Sequence, residues 1–137
     1  MNQAWAGILG SLLLPAWAAV ASAGDAAPGP SAVRGKRLFL QCAACHDLKP
    51  GVPPKIGPHL QGVLGRRAGS VPGIVLSPQL RDSGIVWTAE SLDRWLEKPS
   101  GVVPGTLMVF AGVAKADDRA SLIAYLQQES GAAGNGQ

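Results

Sequence analysis

The part of this chain that can form a folded core is poorly supplied with large side chains. Residues 32–130 are the segment concerned, and at roughly 100 residues they have the length of one ordinary domain. They hold most of the 18 glycines and 11 prolines of the chain. Their aromatic residues are only Phe39, Trp87, Trp95, Phe110 and Tyr125. Side chains alone therefore give little bulk for a single hydrophobic interior, and we expect something else to occupy the middle of the fold.

The N-terminal segment has the composition of an export signal. Residues 5–23 carry no charge, are rich in Ala, Leu and Trp, and end in Ala-Ser-Ala, the small-x-small pattern that signal peptidases cut after. We predict a signal peptide over residues 1–23, cleaved after Ala23, which would place the mature protein in the periplasm of a bacterium. No Lys or Arg precedes Arg34, so an uncleaved membrane anchor is the alternative, since about 20 apolar residues can span a bilayer.

Two further segments cannot bury apolar surface. Residues 24–31 contain Ala, Gly, Pro and Ser beside a single acid, which is typical of a flexible leader. Residues 131–137 have the composition of a disordered tail. One folded domain, residues 32–130, is therefore predicted.

The charge of the chain is mild. A formal net charge of +3 results from 12 basic and 9 acidic residues, and the acids are scattered among the bases. No basic run interleaved with aromatic residues occurs, so nucleic acid is not expected as a partner.

The apolar periodicity of the domain is helical, without period-2 alternation of useful length. Three main helices are predicted, over residues 32–44, 89–98 and 117–130. In the second, Leu92, Trp95 and Leu96 share one face at i, i+3 and i+4 spacing. Pro99 should end that helix.

The helix starts and the connections complete this prediction. Ser31 is placed to cap the first helix, and the charges of Asp117 and Asp118 suit the N-terminus of the third. Shorter helical turns are predicted near residues 60–64 and 78–81. The remaining chain forms long loops, which a compact domain tolerates if they wrap a large rigid group. The expected fold class is all-α.

The segment CAACH at residues 42–46 is the most specific motif in the chain. The spacing C-x-x-C-H marks the attachment site of a c-type haem. Two thiols three positions apart at the end of a helix can reach the two vinyl groups along one porphyrin edge. We therefore predict covalent attachment through Cys42 and Cys45, with His46 as the proximal ligand of the iron.

Three other uses of these residues stay open at this point. Two cysteines in an exported protein could form a disulfide. A thioredoxin-like redox pair also uses C-x-x-C, but it needs a βαβ context that the helical pattern does not provide. A structural zinc site needs about four ligands, and two cysteines with two histidines supply them at poor spacing.

From this motif onward the chain resembles the class I c-type cytochromes, of the mitochondrial type and its close bacterial relatives. The resemblance covers residues 35–126 and rests on several motifs in the same order. Gly35 and Phe39 look like the small and aromatic pair by which that family's first helix crosses its last, and Leu122 and Tyr125 match the partner positions. The resemblance implies a cytochrome c fold, with helices, short helical turns and long loops wrapped round one covalent haem.

The resemblance also implies contacts to the haem. Pro58, in a segment similar to the family's Gly-Pro-Asn-Leu, would accept a hydrogen bond from His46, which fixes the ring and makes it a better donor to iron. Arg66 and Trp87 match residues that bind the haem propionates in that family.

The segment PGTLM at residues 104–108 looks like the one that bears the family's distal thioether ligand. It implies Met108 as the second iron ligand, with Thr106 as a further cofactor contact. Ordinary core packing is the alternative role for a methionine. His59 is the alternative ligand, and is otherwise expected to be an exposed loop residue. Ligation by His46 and Met108 would give a fairly positive reduction potential.

Three polar residues of the family are apolar or bulkier in this chain. Leu76 stands where the family usually has a propionate-bonding Tyr, Leu80 where an Asn helps hold a buried water, and Trp95 where a Tyr hydroxyl reaches toward the axial sulfur. A drier haem pocket is expected, with a potential and an alkaline transition that depart from the mitochondrial norm.

The ring of lysines around the haem edge is thin in this chain. The positions that are commonly Lys in the family hold Ser100, Gly101, Leu107 and Ala114. Long-range electrostatic steering should be weaker as a result. Docking would rely more on an apolar patch formed by Leu107, Val109 and Phe110.

The predicted function is a monomeric one-electron carrier, not an enzyme. Its partners would be an upstream dehydrogenase or bc-type complex and a downstream oxidase or reductase, met through transient docking to membrane complexes. A dedicated electron-transfer subunit of a periplasmic dehydrogenase is one alternative. A haem peroxidase or gas reductase is another, but it needs an open sixth position on the iron, which Met108 should close.

Overall fold

The computed structural model describes residues 29–51 and 53–131. The predicted signal peptide, most of the leader and the tail beyond Gly131 lie outside these ranges. The helices within them are α1 (Ala32–Phe39), α2 (Pro78–Arg81), α3 (Ala89–Glu97), α4 (Pro99–Val102) and α5 (Ala116–Glu129). The β structure of the same residues is one isolated antiparallel bridge between Arg67 and Val86. The all-α prediction is confirmed. In the part of the chain described here, no helix combines the length and apolar content needed to cross a bilayer.

The first helix is shorter than predicted. α1 ends at Phe39 and not at residue 44, and residues 40–45 continue as a series of turns. The Cys42 amide donates to the Phe39 carbonyl at 2.8 Å, and the His46 amide donates to the Cys42 carbonyl at 2.9 Å. The two cysteines therefore lie on a tight turn that follows the helix, and not on its last turn.

α1 and α5 cross closely at Gly35. A Cβ at this position would overlap the Ser121 carbonyl oxygen and lie 2.6 Å from the Tyr125 Cβ, so the crossing requires glycine. Beside it, the Phe39 and Tyr125 rings pack with their centroids 5.5 Å apart. Ser31 is the N-cap residue of α1 as predicted, although its side chain makes no capping bond. Its backbone N–H donates to the Ser121 hydroxyl at 3.1 Å, a second tie between the two helices.

α3 begins and ends as the sequence predicts. The segment after it is predicted to be loop, but its first residues form a further helical turn. A reciprocal capping box starts the helix, because the Ser91 amide donates to the Thr88 hydroxyl at 3.1 Å and the Thr88 amide donates to the Ser91 hydroxyl at 2.8 Å. The helix ends at Glu97. Pro99 then opens α4, a single helical turn in a segment predicted to be loop, since proline also suits the first position of a new helix.

The hydrophobic core lies between α1, α3 and α5. The predicted apolar face of α3, formed by Leu92, Trp95 and Leu96, is buried. Of the two short helical turns predicted, residues 78–81 form α2, whereas residues 60–64 are turns without helix.

Candidate functional site

A cavity of about 660 Å³ opens between the helices and the long loops. This volume lies within the range of about 300–1,000 Å³ that is usual for small-molecule and cofactor sites. Its apolar wall is drawn from the whole length of the domain and includes Phe39, Leu80, Trp95, Leu96, Leu122 and Leu126. The shortage of bulky side chains thus corresponds to a space in the middle of the fold, as the composition predicts.

Cys42, Cys45 and His46 of the CAACH motif line this cavity together. Cys42 and Cys45 are free thiols and not a disulfide. Burial, and secondarily the neighbouring Cys45, raises the pKa of the Cys42 thiol. That thiol is therefore protonated at neutral pH, since an ordinary cysteine already titrates at about 8.5. Both sulfurs are available for covalent attachment to a group in the cavity.

The ring of His46 is held in one orientation and one tautomer. Its Nδ1 lies 2.7 Å from the Pro58 carbonyl oxygen. Because a carbonyl can only accept, Nδ1 carries the proton, and the lone pair of the neutral ring is on Nε2. Gly57 lets the backbone pass beside the ring: a Cβ there would lie 2.6 Å from the His46 Cε1 and 2.8 Å from the Cys45 carbonyl oxygen. This is the arrangement of an imidazole prepared to bind a metal through Nε2.

Lys55 links residues 43–47 through hydrogen bonds and an ion pair, a role that the sequence did not predict. Its Nζ donates to the Ala43 carbonyl oxygen at 2.5 Å and to the His46 carbonyl oxygen at 3.4 Å. It also pairs with an Asp47 carboxylate oxygen at 2.7 Å. A single lysine between prolines and an isoleucine gives no sequence signal for such a role.

Met108 reaches the cavity from the far end of the sequence. Its side chain is half-buried and lines the cavity, as does that of Thr106. The Thr106 hydroxyl accepts a hydrogen bond from the Met108 amide at 3.3 Å. The residues on either side face outward, with Leu107 58% and Val109 100% exposed. The structure therefore brings the predicted distal residue onto the same cavity as the CAACH motif.

Arg66 and Trp87 also line the cavity. The Arg66 guanidinium donates to the carbonyl oxygens of Gln61 and His59, each at 2.7 Å. A guanidinium has more N–H donors than these two bonds use, so Arg66 can still bind an anionic group. Burial lowers its pKa, although an arginine stays charged at neutral pH. Trp87 is buried with its ring centroid 5.3 Å from that of Trp95.

His59 does not line the cavity. It is half-buried, so the expectation of an exposed loop residue is wrong. Its Nδ1 is buried without a hydrogen-bond partner. Burial, and secondarily the charge of Arg66, lowers the pKa of this imidazole. The geometry therefore leaves His59 outside the set of residues that could bind an iron in the cavity.

Leu76, Leu80 and Trp95 all line the cavity wall. These are the three residues for which the sequence predicts a drier pocket. With two free thiols, one prepared imidazole nitrogen and one thioether on an apolar cavity, the donor set fits a covalently attached haem. The described residues hold no group of three or more His, Cys, Asp or Glu side chains that could bind a metal ion.

Comparison with known proteins gives the same assignment. No family model matches the chain. Cytochrome c2 of Rhodomicrobium vannielii is 43% identical over 99 residues, which are 72% of this chain and 79% of that protein. Cytochrome c2 of Blastochloris viridis is 39% identical over 121 residues, which are 88% of this chain and 91% of that protein.

A solved structure, cytochrome cH from Methylobacterium extorquens, is 37% identical and superposes with a TM-score of 0.67 over 72% of this chain and 98% of its own. The two relatives are similar to this chain in sequence over most of their length, and the solved structure is similar to it in fold as well. The chain therefore belongs to the class I c-type cytochromes, which carry electrons on one covalently bound haem c with a histidine and a methionine as iron ligands.

Proposed function

We propose that this chain is an exported bacterial electron carrier whose single haem is attached through Cys42 and Cys45 and ligated by His46 and Met108. The observation that carries the proposal is the convergence of these four side chains on one cavity. It is supported by the bond from His46 Nδ1 to the Pro58 carbonyl, which leaves Nε2 to bind the iron.

When bound, the haem supplies a reversible one-electron change between Fe(II) and Fe(III). The chain supplies everything that tunes this change. The Pro58 carbonyl fixes the His46 ring through Nδ1, which leaves Nε2 to bind the metal and makes the ring a stronger donor. Met108 provides a soft thioether, which favours the reduced state. If His46 and Met108 both bind the iron, they would leave no site open to peroxide or a small gas, and we therefore expect no catalytic activity.

Residues of the cavity wall would bind the haem carboxylates and exclude water. We propose that Arg66 and Trp87 bind the haem carboxylates, because Arg66 lies on the cavity with donors to spare and Trp87 offers an indole N–H. Leu76, Leu80 and Trp95 exclude water from the cavity. A dry environment disfavours the more highly charged oxidised iron, so it should raise the reduction potential. A redox titration that gives an ordinary mitochondrial value would contradict this part of the proposal.

Absorption spectra of the purified protein test the haem assignment. Reduction should give a sharp c-type α band, the oxidised protein should show a weak far-red sulfur-to-iron band, and acidified acetone should leave the pigment on the polypeptide. Met108→Ala should remove the far-red band and keep the covalent pigment, whereas Leu107→Ala, next to it and exposed, should keep both. Pigment that acidified acetone extracts, or a far-red band that survives in Met108→Ala, would disprove the assignment.

We further propose that redox partners dock on the apolar patch of Leu107, Val109 and Phe110. Val109 is the most exposed large apolar side chain of the described residues, Leu107 is also exposed, and Phe110 is half-buried beside them at the cavity. The partners would be a dehydrogenase or bc-type complex on one side and an oxidase or reductase on the other. Because apolar contacts are not screened by salt, the electron-transfer rate should fall only slightly with ionic strength. A steep fall would contradict docking by this patch.

The same patch supports a second candidate, a permanent electron-transfer subunit of one dehydrogenase, since exposed apolar surface is often buried in a complex. Size-exclusion chromatography of native extracts separates the two. A monomeric elution supports the diffusing carrier, and co-elution with a dehydrogenase supports the subunit.

We place the carrier in the periplasm because residues 1–23 read as a cleaved export signal. Mass spectrometry of the exported protein should find Gly24 at its N-terminus. A mass that retains residues 1–23 would show a membrane anchor instead.

A further inference from the structure

The distal loop, defined as residues 103–115, has to hold Met108 in place beside an apolar cavity wall. Within the described residues, the hydrogen bond that Met108 itself makes is the one from its amide to the Thr106 hydroxyl, at 3.3 Å. Met108 packs against the buried apolar core, to which Leu80 and Trp95 belong. The position of the thioether therefore depends on how the ends of the loop are fastened.

The C-terminal end of the loop is fastened by a buried arginine of α5. Arg119 is only 6% exposed, and one of its terminal nitrogens donates to the Val113 carbonyl oxygen at 3.0 Å and to the Ala114 carbonyl oxygen at 2.9 Å. Its Nε and second terminal nitrogen donate to the two carboxylate oxygens of Asp93 on α3, at 2.8 and 3.3 Å. A carboxylate oxygen of Glu97 lies 3.5 Å from the terminal nitrogen of Arg119 that binds the two carbonyls. The hydrogen bond to Asp93, and then the negative charges of Asp93 and Glu97, raise the pKa of Arg119 against the opposing effect of burial.

The same end of the loop also caps α3. The Val113 amide donates to the Leu96 carbonyl oxygen at 2.7 Å, which satisfies one of the carbonyls that a helix C-terminus leaves unpaired. Gly112 lies so close to α3 that a Cβ would overlap the Glu97 carbonyl oxygen. The end of the loop is thus enclosed between α3 and the Arg119 guanidinium.

We propose that Arg119 and Asp93 are positioning residues for Met108: their bidentate pair holds the distal loop closed and so sets how readily the thioether leaves the iron. The proposal rests on the assignment of Met108 as a ligand. Arg119 binds the loop through two carbonyls, and Asp93 fixes the guanidinium from the other side so that both bonds can form together. Charge-assisted and bidentate bonds of this kind are stronger and more directional than neutral ones. If either partner is weakened, the loop opens more often while the proximal side keeps its structure.

Binding of added imidazole to the oxidised protein measures this opening, because imidazole can reach the iron only when Met108 has left it. The apparent affinity is then proportional to the open fraction. Arg119→Lys keeps the charge but cannot form the bidentate pair and both carbonyl bonds, and we expect imidazole affinity to rise about ten- to a hundredfold. Asp93→Asn, a milder change at a partly exposed carboxylate, should raise it about threefold to tenfold.

The matched control is Glu90→Gln on the same helix, α3. Glu90 pairs with Arg94 at 3.6 Å on the exposed side of the helix, so its loss removes an ion pair without touching the loop. Imidazole affinity should not change in this variant. An equal rise in Glu90→Gln and Asp93→Asn would overturn the proposal.

Hydrogen exchange of two amides gives a readout that does not depend on the iron. The Val113 amide, bonded to Leu96, should exchange faster in Arg119→Lys and Asp93→Asn by the same factor as the imidazole affinity rises. The Leu60 amide, bonded to the Asp47 carbonyl at 2.7 Å on the proximal side, should keep its rate. Unchanged Val113 exchange, or equal acceleration of Leu60, would overturn the proposal. If Met108 were not the ligand, Val113 exchange would still respond, whereas Met108→Ala would leave the far-red band in place.

Discussion

The two sides of the cavity are held in different ways. The proximal segment, residues 42–60, is held largely by bonds within itself. The His46 ring binds the Pro58 carbonyl, and the Leu60 amide binds the Asp47 carbonyl. Everything that orients the proximal imidazole is therefore supplied by neighbours in the sequence.

The distal loop, residues 103–115, depends on elements elsewhere in the chain. Its C-terminal end is bound by Arg119 of α5 and by the C-terminus of α3. Asp93 of α3 in turn accepts a hydrogen bond from Arg119. Contacts of this kind form only when the whole domain is folded. One proposed iron ligand is thus held by a local motif and the other by the tertiary structure, so the distal side should be the one that single substitutions loosen most.

The largest effect should come from Gly112 on the distal side. Its φ of +104° is unfavourable for any side chain, and a Cβ would overlap the Glu97 carbonyl oxygen. Gly112→Ala combines backbone strain with overpacking, and the free energy of unfolding should fall by about 4 kcal/mol in denaturant titrations. Gly101→Ala, in α4 where a Cβ has ordinary room, should cause no loss. A loss of less than about 1 kcal/mol in Gly112→Ala would show that the loop can move away from α3 at little cost.

On the proximal side, Gly57→Ala should be the most disruptive change. The new Cβ would lie 2.6 Å from the His46 Cε1, so either the ring or the backbone must move. We expect the free energy of unfolding to fall by about 3 kcal/mol, together with a changed reduction potential, because the imidazole no longer faces the iron as before. Gly29→Ala, with nothing within 4 Å of the added carbon, is the control. An unchanged potential would mean that the proximal ring is not held by this glycine.

A smaller effect is expected from Lys55, which fastens the proximal segment at its surface. Its side chain and that of Asp47 are both about one-third exposed, so solvent weakens the pair. Lys55→Met should lower the free energy of unfolding by about 1 kcal/mol, with less effect at high salt. Lys36→Met, on the exposed side of α1, is the matched control and should be neutral. Equal effects of the two substitutions would show that the bonds to Ala43 and Asp47 contribute nothing.

The smallest effect concerns pH. Burial, and then the charge of Arg66, lowers the pKa of His59 below its ordinary value of about 6.5. As the pH falls below about 6.5, His59 takes up a proton in the unfolded chain before it does so in the folded one. Its contribution to the free energy of unfolding is therefore complete above this pH and declines below it. The His59→Asn variant has no imidazole at this position, so its stability should not decline for this reason. Denaturant titrations between about pH 7 and pH 5 should show the parent losing more stability than the variant, and parallel curves would contradict the prediction.

The sequence predicts the proximal side well because its determinants are local. The motif at residues 42–46, Gly57 and Pro58 lie within one short stretch, and the structure joins the His46 ring to the Pro58 carbonyl. The close crossing at Gly35 also follows from the sequence, since a small residue opposite a large one is a recognisable pattern.

The distal side is less predictable for the same physical reason. Arg119 follows two acids in the first turns of α5, a pattern typical of an exposed helix face, and only the tertiary fold places carbonyls and Asp93 around it. The helical turn at Pro99 was missed because proline marks the end of one helix and the start of another alike. Arg66, seven residues later, donates to the His59 carbonyl oxygen, and no periodicity signals this contact.

The crossing at Gly35 also sets an order of events during maturation. The first helix of the domain meets the last one there, so the molecule closes only when its C-terminal end is in place. Leu122 and Leu126 of α5 form part of the cavity wall, and before α5 docks that wall is missing. A flat, rigid macrocycle can then approach Cys42 and Cys45 from the side. We therefore expect the haem to be attached before α5 docks. Docking of α5 would then complete the cavity wall around it.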